Sequence, residues 1–267
     1  MVKRGITGII FIILLIGCIQ INRGTYLALF SLITAGLLLE FYNNLSNADF
    51  HPQTFVGTLT GTLLFLLSSL HATHYADARI FIFLIPFLLI IYISELFRKE
   101  TKPFNNISHT ILGIVYLSVP FSALNYIAFS TDALYHPQVL LGFFVIIWTY
   151  DTSAYVIGIS LGKHRMFERI SPKKSWEGAI SGMIVACVIA MILSHYFIQL
   201  DRTQWLIMAI ITCIFATFGD LSESMLKRSL NIKDSGDILP GHGGLLDRFD
   251  SVLLAAPVVF LYLQIIK

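Results

Sequence analysis

Apolar residues in this chain come in long runs separated by short polar breaks. The runs occupy approximately residues 5–21, 25–42, 54–70, 80–97, 107–128, 138–161, 177–198, 204–222 and 249–266. Each is close to the roughly 20 residues that a helix needs to cross a hydrocarbon core. The pattern therefore predicts an all-α, polytopic integral membrane protein of about nine transmembrane helices. Two runs carry polar residues where lipid would not tolerate them: the sixth is interrupted by Asp151-Thr152-Ser153, and the eighth ends in Gly219-Asp220. Neither is expected to be a plain lipid-facing helix.

Composition excludes the main alternative, a soluble domain on a single anchor. Hydrophobic residues make up 56% of the 267 and charged residues 13%, against roughly 25% charged in a soluble domain, and the mean hydropathy is +0.76. A net charge of +2 without a concentrated basic patch gives no reason to expect a nucleic-acid partner. Cys18, Cys187 and Cys213 lie far apart inside apolar runs and read as packing residues. Asn22-Arg23-Gly24-Thr25 offers no small-residue cleavage site, so the first run is expected as a helix and not as a removable leader.

Charge does set an orientation. On the side of the N-terminus and the even-numbered loops lie Lys3, Arg4, Arg98, Lys99, Lys102, Lys163, Arg165, Arg169, Lys173, Lys174, Lys227, Arg228, Lys233 and Arg248, which are 14 of the 18 lysines and arginines. Arg23, Arg79, Arg202 and Lys267 fall on the other side. Cytoplasmic loops retain such an excess, so the N-terminus and the loops 162–176 and 223–248 are expected to face the cytoplasm.

That face also collects the acids. A carboxylate at membrane depth costs roughly 2.5–3.5 kcal/mol on insertion scales and is kept where it is paired or wet. Asp151 and Asp220 sit on inward-running spans, and Asp247 and Asp250, three apart, open the last span from the same side. Their convergence near the inner boundary suits a hard divalent cation and, through it, a phosphate. The plainer alternative is that they pair with Lys227, Arg228 or Arg248 to neutralise a polar bundle. Between the acids run Lys233-Asp234-Ser235-Gly236 and Pro240-Gly241-His242-Gly243-Gly244, whose glycines would let backbone N–H groups approach phosphate oxygens.

These residues resemble the signature of the phosphatidate cytidylyltransferases, also called CDP-diacylglycerol synthases. That signature runs Ser-x-apolar-Lys-Arg, four residues, Lys-Asp-x-small, then Pro-x-His-Gly-Gly-apolar-x-Asp-Arg-apolar-Asp, and it is met at every position from Ser224 to Asp250. Trp148 to Tyr155 and Ser171 to Gly178 are family-like as well, so the resemblance is close over roughly 148–250, while the first five spans match only in being apolar. It implies transfer of CMP from CTP to phosphatidate, giving CDP-diacylglycerol and pyrophosphate for phospholipid synthesis, with Mg²⁺ and room for a second cation. On this reading Asp220 and Asp247 are the first candidates for metal, and Asp250 and Asp151 for a second metal or for holding basic residues. Lys227, Arg228, Lys233 and Arg248 would neutralise phosphate charge, with Lys173, Lys174, Ser224, His242, Gly243 and Gly244 as substrate contacts. His242 has two readings, a phosphate contact or a brace of its own loop.

The chain is accordingly expected as one membrane domain, residues 1–267, with N-terminal helices in 1–130 and a catalytic half in 138–267, in the inner, cytoplasmic membrane. CTP, phosphatidate and membrane lipids are the expected partners. Gly178 and Gly182, four apart, suit close helix packing within the chain or in a homodimer. His71 and His74 are read as a solvated outer loop, and Glu40 and Glu95 as charges solvated at the cytoplasmic ends of their spans. Two rivals remain: a CTP-using lipid kinase such as a polyprenol kinase, which would leave CDP in water, and a transporter, for which the absence of an internal repeat is unfavourable.

Overall fold

The computed structural model describes residues 2–130, 134–236 and 243–266, with side chains from Gly8 onward. His242 of the glycine-rich segment lies outside the described residues. The helices are α1 (Val2–Ile21), α2 (Arg23–Ser46) and α3 (Thr54–Ala72), then a 3₁₀ stretch Ala78–Phe83 leading into α4 (Leu84–Phe97). Next come α5 (Pro103–Gly113), a π-helical turn Ile114–Ser118, α6 (Val119–Ala128) and α7 (Pro137–Leu161). A hairpin of β1 (Arg165–Phe167) and β2 (Ser171–Ser175) precedes α8 (Trp176–Tyr196), α9 (Arg202–Ser229) and α10 (Leu246–Ile265). Eight of these rods, counting α4 with its 3₁₀ start and α5 with α6, are long and apolar enough to span a membrane, and Gly8–Ile21 adds a shorter apolar helix.

Local chemistry explains the boundaries. Asn22 and Asp201 cap α2 and α9 through reciprocal bonds with Thr25 and Gln204, satisfying N–H groups that have no partner in the first turn. The π turn lies immediately before Pro120, whose ring and missing N–H disturb the regular ladder one turn back. One buried polar group inside the bundle is satisfied by its neighbours, which lipid could not do: Tyr26 donates to Asn125 Oδ1 at 2.9 Å, and Asn125 Nδ2 donates to Phe65 O and Ser68 Oγ. Around them an aromatic core of Phe30, Phe121, Phe144 and Phe249 joins α2, α6, α7 and α10.

Several expectations change. Asp151-Thr152-Ser153 does not interrupt the sixth span, because α7 runs through it, with Ser153 Oγ bonded back to Thr149 O and Asp151 accepting from Ser251 Oγ of α10 at 3.0 Å. The eighth span does not end at Asp220 but continues more than two further turns, to Ser229. Loop 162–176 contains the hairpin, held at its base by Glu177, which accepts from the N–H groups of Lys163 and His164. Glu40 and Glu95 are buried, 5% and 4% exposed, not solvated. Donors replace water around Glu95: Gln53 Nε2 and Asn106 Nδ2 at 2.7 Å and Arg98 Nη1 at 2.9 Å. His71 ends α3 as a partly buried residue bonded to the Tyr126 hydroxyl at 2.9 Å. Gly178 and Gly182 pack against Ala154 of α7, which gives the small-residue pair a role within the chain.

Candidate active site

Three helices and the hairpin deliver the polar residues to one end of the bundle. Helices α9 and α10 touch where Gly219 faces the Asp250 carbonyl, and a Cβ at 219 would collide with that oxygen. This contact sets Asp220 beside Asp250. Helix α7 is tied in by Ser251 Oγ donating to Asp151 and by the buried pairing of the Tyr150 and Thr217 hydroxyls. The hairpin closes the other side through Lys174, whose Nζ lies 2.6 Å from Asp220 Oδ2 and donates to Thr217 O at 3.3 Å.

Because α9 continues past Asp220, Glu223 and Lys227 follow at helical spacings of three and four and share its face. Asp220, Glu223 and Asp250 each offer one oxygen within 4.8 Å of the others. Glu223 is fully buried. Its Oε2 stands 2.6 Å from Lys227 Nζ, while Oε1 has no hydrogen-bond partner among the described residues. A buried carboxylate oxygen left without a donor beside two further carboxylates is costly unless a cation completes the set. Three hard oxygen donors fit Mg²⁺ in kind, and they leave positions for substrate oxygens and water.

Asp247 has a different environment. Its Oδ1 takes Lys227 Nζ at 2.6 Å, and its Oδ2 accepts from Ser235 N at 3.0 Å, Ser235 Oγ at 2.9 Å and Gly244 N at 2.9 Å. Gly243 sits over this carboxylate at φ +78, a conformation that glycine adopts without strain. The acid that joins Asp220 and Asp250 is therefore Glu223, whereas Asp247 gathers the lysine and the glycine segment. Sequence reading assigned Glu223 no role, although its i+3 and i+4 relations to Asp220 and Lys227 carried the signal; an eighth span ending at Asp220 hid them.

A cavity of about 650 Å³ opens over this arrangement, within the range of about 300–1,000 Å³ usual for small-molecule sites. Asp151, Asp220, Asp247 and Asp250 line it from the helices, with Arg248 at the start of α10, and Arg165, Lys173 and Lys174 line it from the hairpin. Ala154, Gly158 and Ile159 of α7 give it an apolar flank. Ser224 reaches the acids by donating to Asp220 Oδ1 at 3.3 Å. Arg228 and Lys233 are exposed and stand outside the cavity wall. Lys227, Ser224, Gly243 and Gly244 lie behind that wall, against Asp220 or Asp247, whereas Arg228 and Lys233 are not gathered there, and the hairpin cation Arg165 is added.

An acid cluster facing a basic hairpin over an apolar flank is suited to joining a polyphosphate in water to a phosphate held by lipid. A protein of Staphylococcus saprophyticus named phosphatidate cytidylyltransferase is 30% identical over 259 residues, 96% of each chain. One of the same name from Staphylococcus aureus is 30% identical over 258 residues, again 96% of each. A Rickettsia bellii protein so named is 35% identical over 180 residues, 65% of this chain and 77% of its own. The sequence model of the cytidylyltransferase family matches residues 2–266, and with nearly its whole length inside that pattern the chain belongs to the cytidylyltransferase family.

Proposed function

We propose that this protein is a Mg²⁺-dependent phosphatidate cytidylyltransferase that makes CDP-diacylglycerol at the cytoplasmic face of the membrane. The observation that carries the reading is the meeting of Asp220, Glu223 and Asp250 within 4.8 Å at a cavity whose other wall carries Lys173 and Lys174. The name shared by the three relatives supports the same substrates, and the excess of lysine and arginine on the site's loops supports the orientation.

The chemistry needs charge control more than proton transfer. A phosphatidate oxygen is already anionic near neutral pH. It attacks the α-phosphorus of CTP, a new phosphorus–oxygen bond forms, the bond to the β-phosphate oxygen breaks, and pyrophosphate departs with its electrons. Asp220, Glu223 and Asp250 would hold Mg²⁺, which when bound neutralises phosphate charge and orients the reacting oxygens. Lys173, Lys174 and Arg248 point charge at the phosphates, and Lys174 is kept in place by Asp220 and the Thr217 carbonyl. Asp247 orients Lys227 and the glycine segment. The flank of Ala154, Gly158 and Ile159 gives the cavity an apolar surface, against which the lipid's glycerol and acyl carbons would lie. Asp151, bonded to Ser251, lies next to the cluster as the acid for a second cation.

The test is product analysis with CTP labelled in the cytidine moiety, using purified protein and phosphatidate micelles. Label in the lipid phase, with pyrophosphate in water, is the expected outcome and requires added Mg²⁺. Label recovered only as aqueous CDP would mean γ-phosphoryl transfer by a lipid kinase and would overturn the proposal.

A further inference from the structure

Helix α2 belongs to the N-terminal half, which carries none of the signature residues. Gly36, Glu40 and Asn44 are four apart on it and so share one face. That face meets the two described ends of the connection between α9 and α10. Glu40 Oε1 accepts from Ser235 Oγ at 2.5 Å and Leu246 N at 3.0 Å, and Oε2 accepts from Leu245 N at 2.7 Å. One turn on, Asn44 Nδ2 donates to Ser235 O at 2.6 Å. One turn back, a Cβ at Gly36 would come within 2.7 Å of Leu245 Cδ1, so the glycine makes room for that side chain.

A carboxylate suits this place because it accepts in several directions and needs no donor. Leu245 and Leu246 begin α10, where backbone N–H groups have no partner within the helix and the helix dipole favours a negative charge. Ser235 is shared, since its N–H and hydroxyl also reach Asp247 Oδ2. The bonded series thus runs from Glu40 through Ser235 to Asp247, then to Lys227 and Glu223.

We propose that Glu40 is a positioning residue of the reaction, and that the α2 face of Gly36, Glu40 and Asn44 is a ledge fixing Asp247 and Lys227 relative to the acid cluster. This rests on the reading that Asp247, Lys227 and Glu223 serve the reacting site. The bonds of Glu40 go to Ser235 and the first turn of α10, and it acts through them. Glu95 is the internal comparison: it is an equally buried carboxylate, bonded to Gln53, Asn106 and Arg98 and outside that series.

The experiment compares Glu40→Gln, Glu95→Gln and Asp247→Asn as purified full-length proteins, with kcat per folded molecule, KM for CTP and thermal midpoint measured for each. Glutamine keeps the shape of Glu40 but turns an NH₂ group toward one of its donors. Glu40→Gln is expected to lower kcat about 10- to 100-fold with KM for CTP little changed, whereas Glu95→Gln lowers only the midpoint. Combining Glu40→Gln with Ser235→Ala should lose less than the product of the single effects, because both break the same series. Wild-type kcat per folded molecule in Glu40→Gln, with only the midpoint lowered as in Glu95→Gln, overturns the ledge. If Glu40→Gln does not fold, Asn44→Ala takes its place: a kcat about fivefold lower supports the ledge and an unchanged one overturns it. Full turnover in Asp247→Asn would instead remove the site reading beneath it.

Discussion

Glu223 and Lys227 form a largely buried ion pair one helical turn apart on α9. Lys227 stands between Glu223 and Asp247, 2.6 Å from each, and its side chain is 17% exposed. Removing the lysine would leave two acids close together without their cation, and breaking such a pair costs about 3–5 kcal/mol. Lys227→Met should therefore lower the thermal midpoint markedly as well as turnover. Glu223→Gln should behave in the opposite way. It removes one negative charge from a crowded cluster, so the fold should hold while activity drops about 100-fold and the Mg²⁺ concentration for half-maximal activity rises. Thermal unfolding beside a Mg²⁺ titration of turnover separates the two, and wild-type Mg²⁺ dependence in Glu223→Gln would contradict the metal assignment.

At the scale of elements, the site depends on how closely α9 approaches α10. The absence of a side chain at Gly219 lets the Asp250 backbone lie against α9. Gly219→Val would force the helices apart. Overpacking of this kind costs typically about 1–3 kcal/mol, and the displacement should separate Asp220 from Asp250, so turnover is expected to fall more steeply than stability. A variant with normal turnover and an unchanged midpoint would mean that the approach does not set the cluster. The hairpin contributes in a different way. Its two short strands are too few to be stable alone, and the Glu177 carboxylate at its base and the Lys174–Asp220 ion pair at its inner edge hold it to the bundle.

At the scale of the whole molecule, the hairpin, the end of α9 and the start of α10 occupy one end of the bundle, and the α9 N-terminus at Asp201-Arg202 follows the span α8 that leads away from the hairpin. Orientation is testable by cysteine accessibility in intact cells, after Cys18, Cys187 and Cys213 are replaced by alanine. Lys173→Cys and Arg228→Cys should resist a membrane-impermeant thiol reagent until the membrane is opened, and Arg202→Cys should react at once. The reverse pattern would place the site on the outer face. The N-terminal half is more than a lipid-facing filler in this arrangement, since Glu40 and Asn44 reach the far end of the chain.

The sequence by itself determined the class of fold and most of the chemistry. Hydrocarbon imposes a fixed length on every span, so the nine apolar runs could be read directly, and acids at membrane depth are costly enough that Asp151, Asp220, Asp247 and Asp250 stood out as candidates, with Asp220 and Asp247 first. Only the tertiary structure decided which acids meet and what holds them. Whether α9 stops at Asp220 or continues to Ser229 depends on what packs beside it, and that continuation brought Glu223 into the cluster. Glu40 meets Ser235 across 195 positions of sequence, a relation that local pattern does not carry. A charge at the end of a span looks the same in sequence whether water or a folded partner satisfies it, and only the assembled bundle supplies the partner.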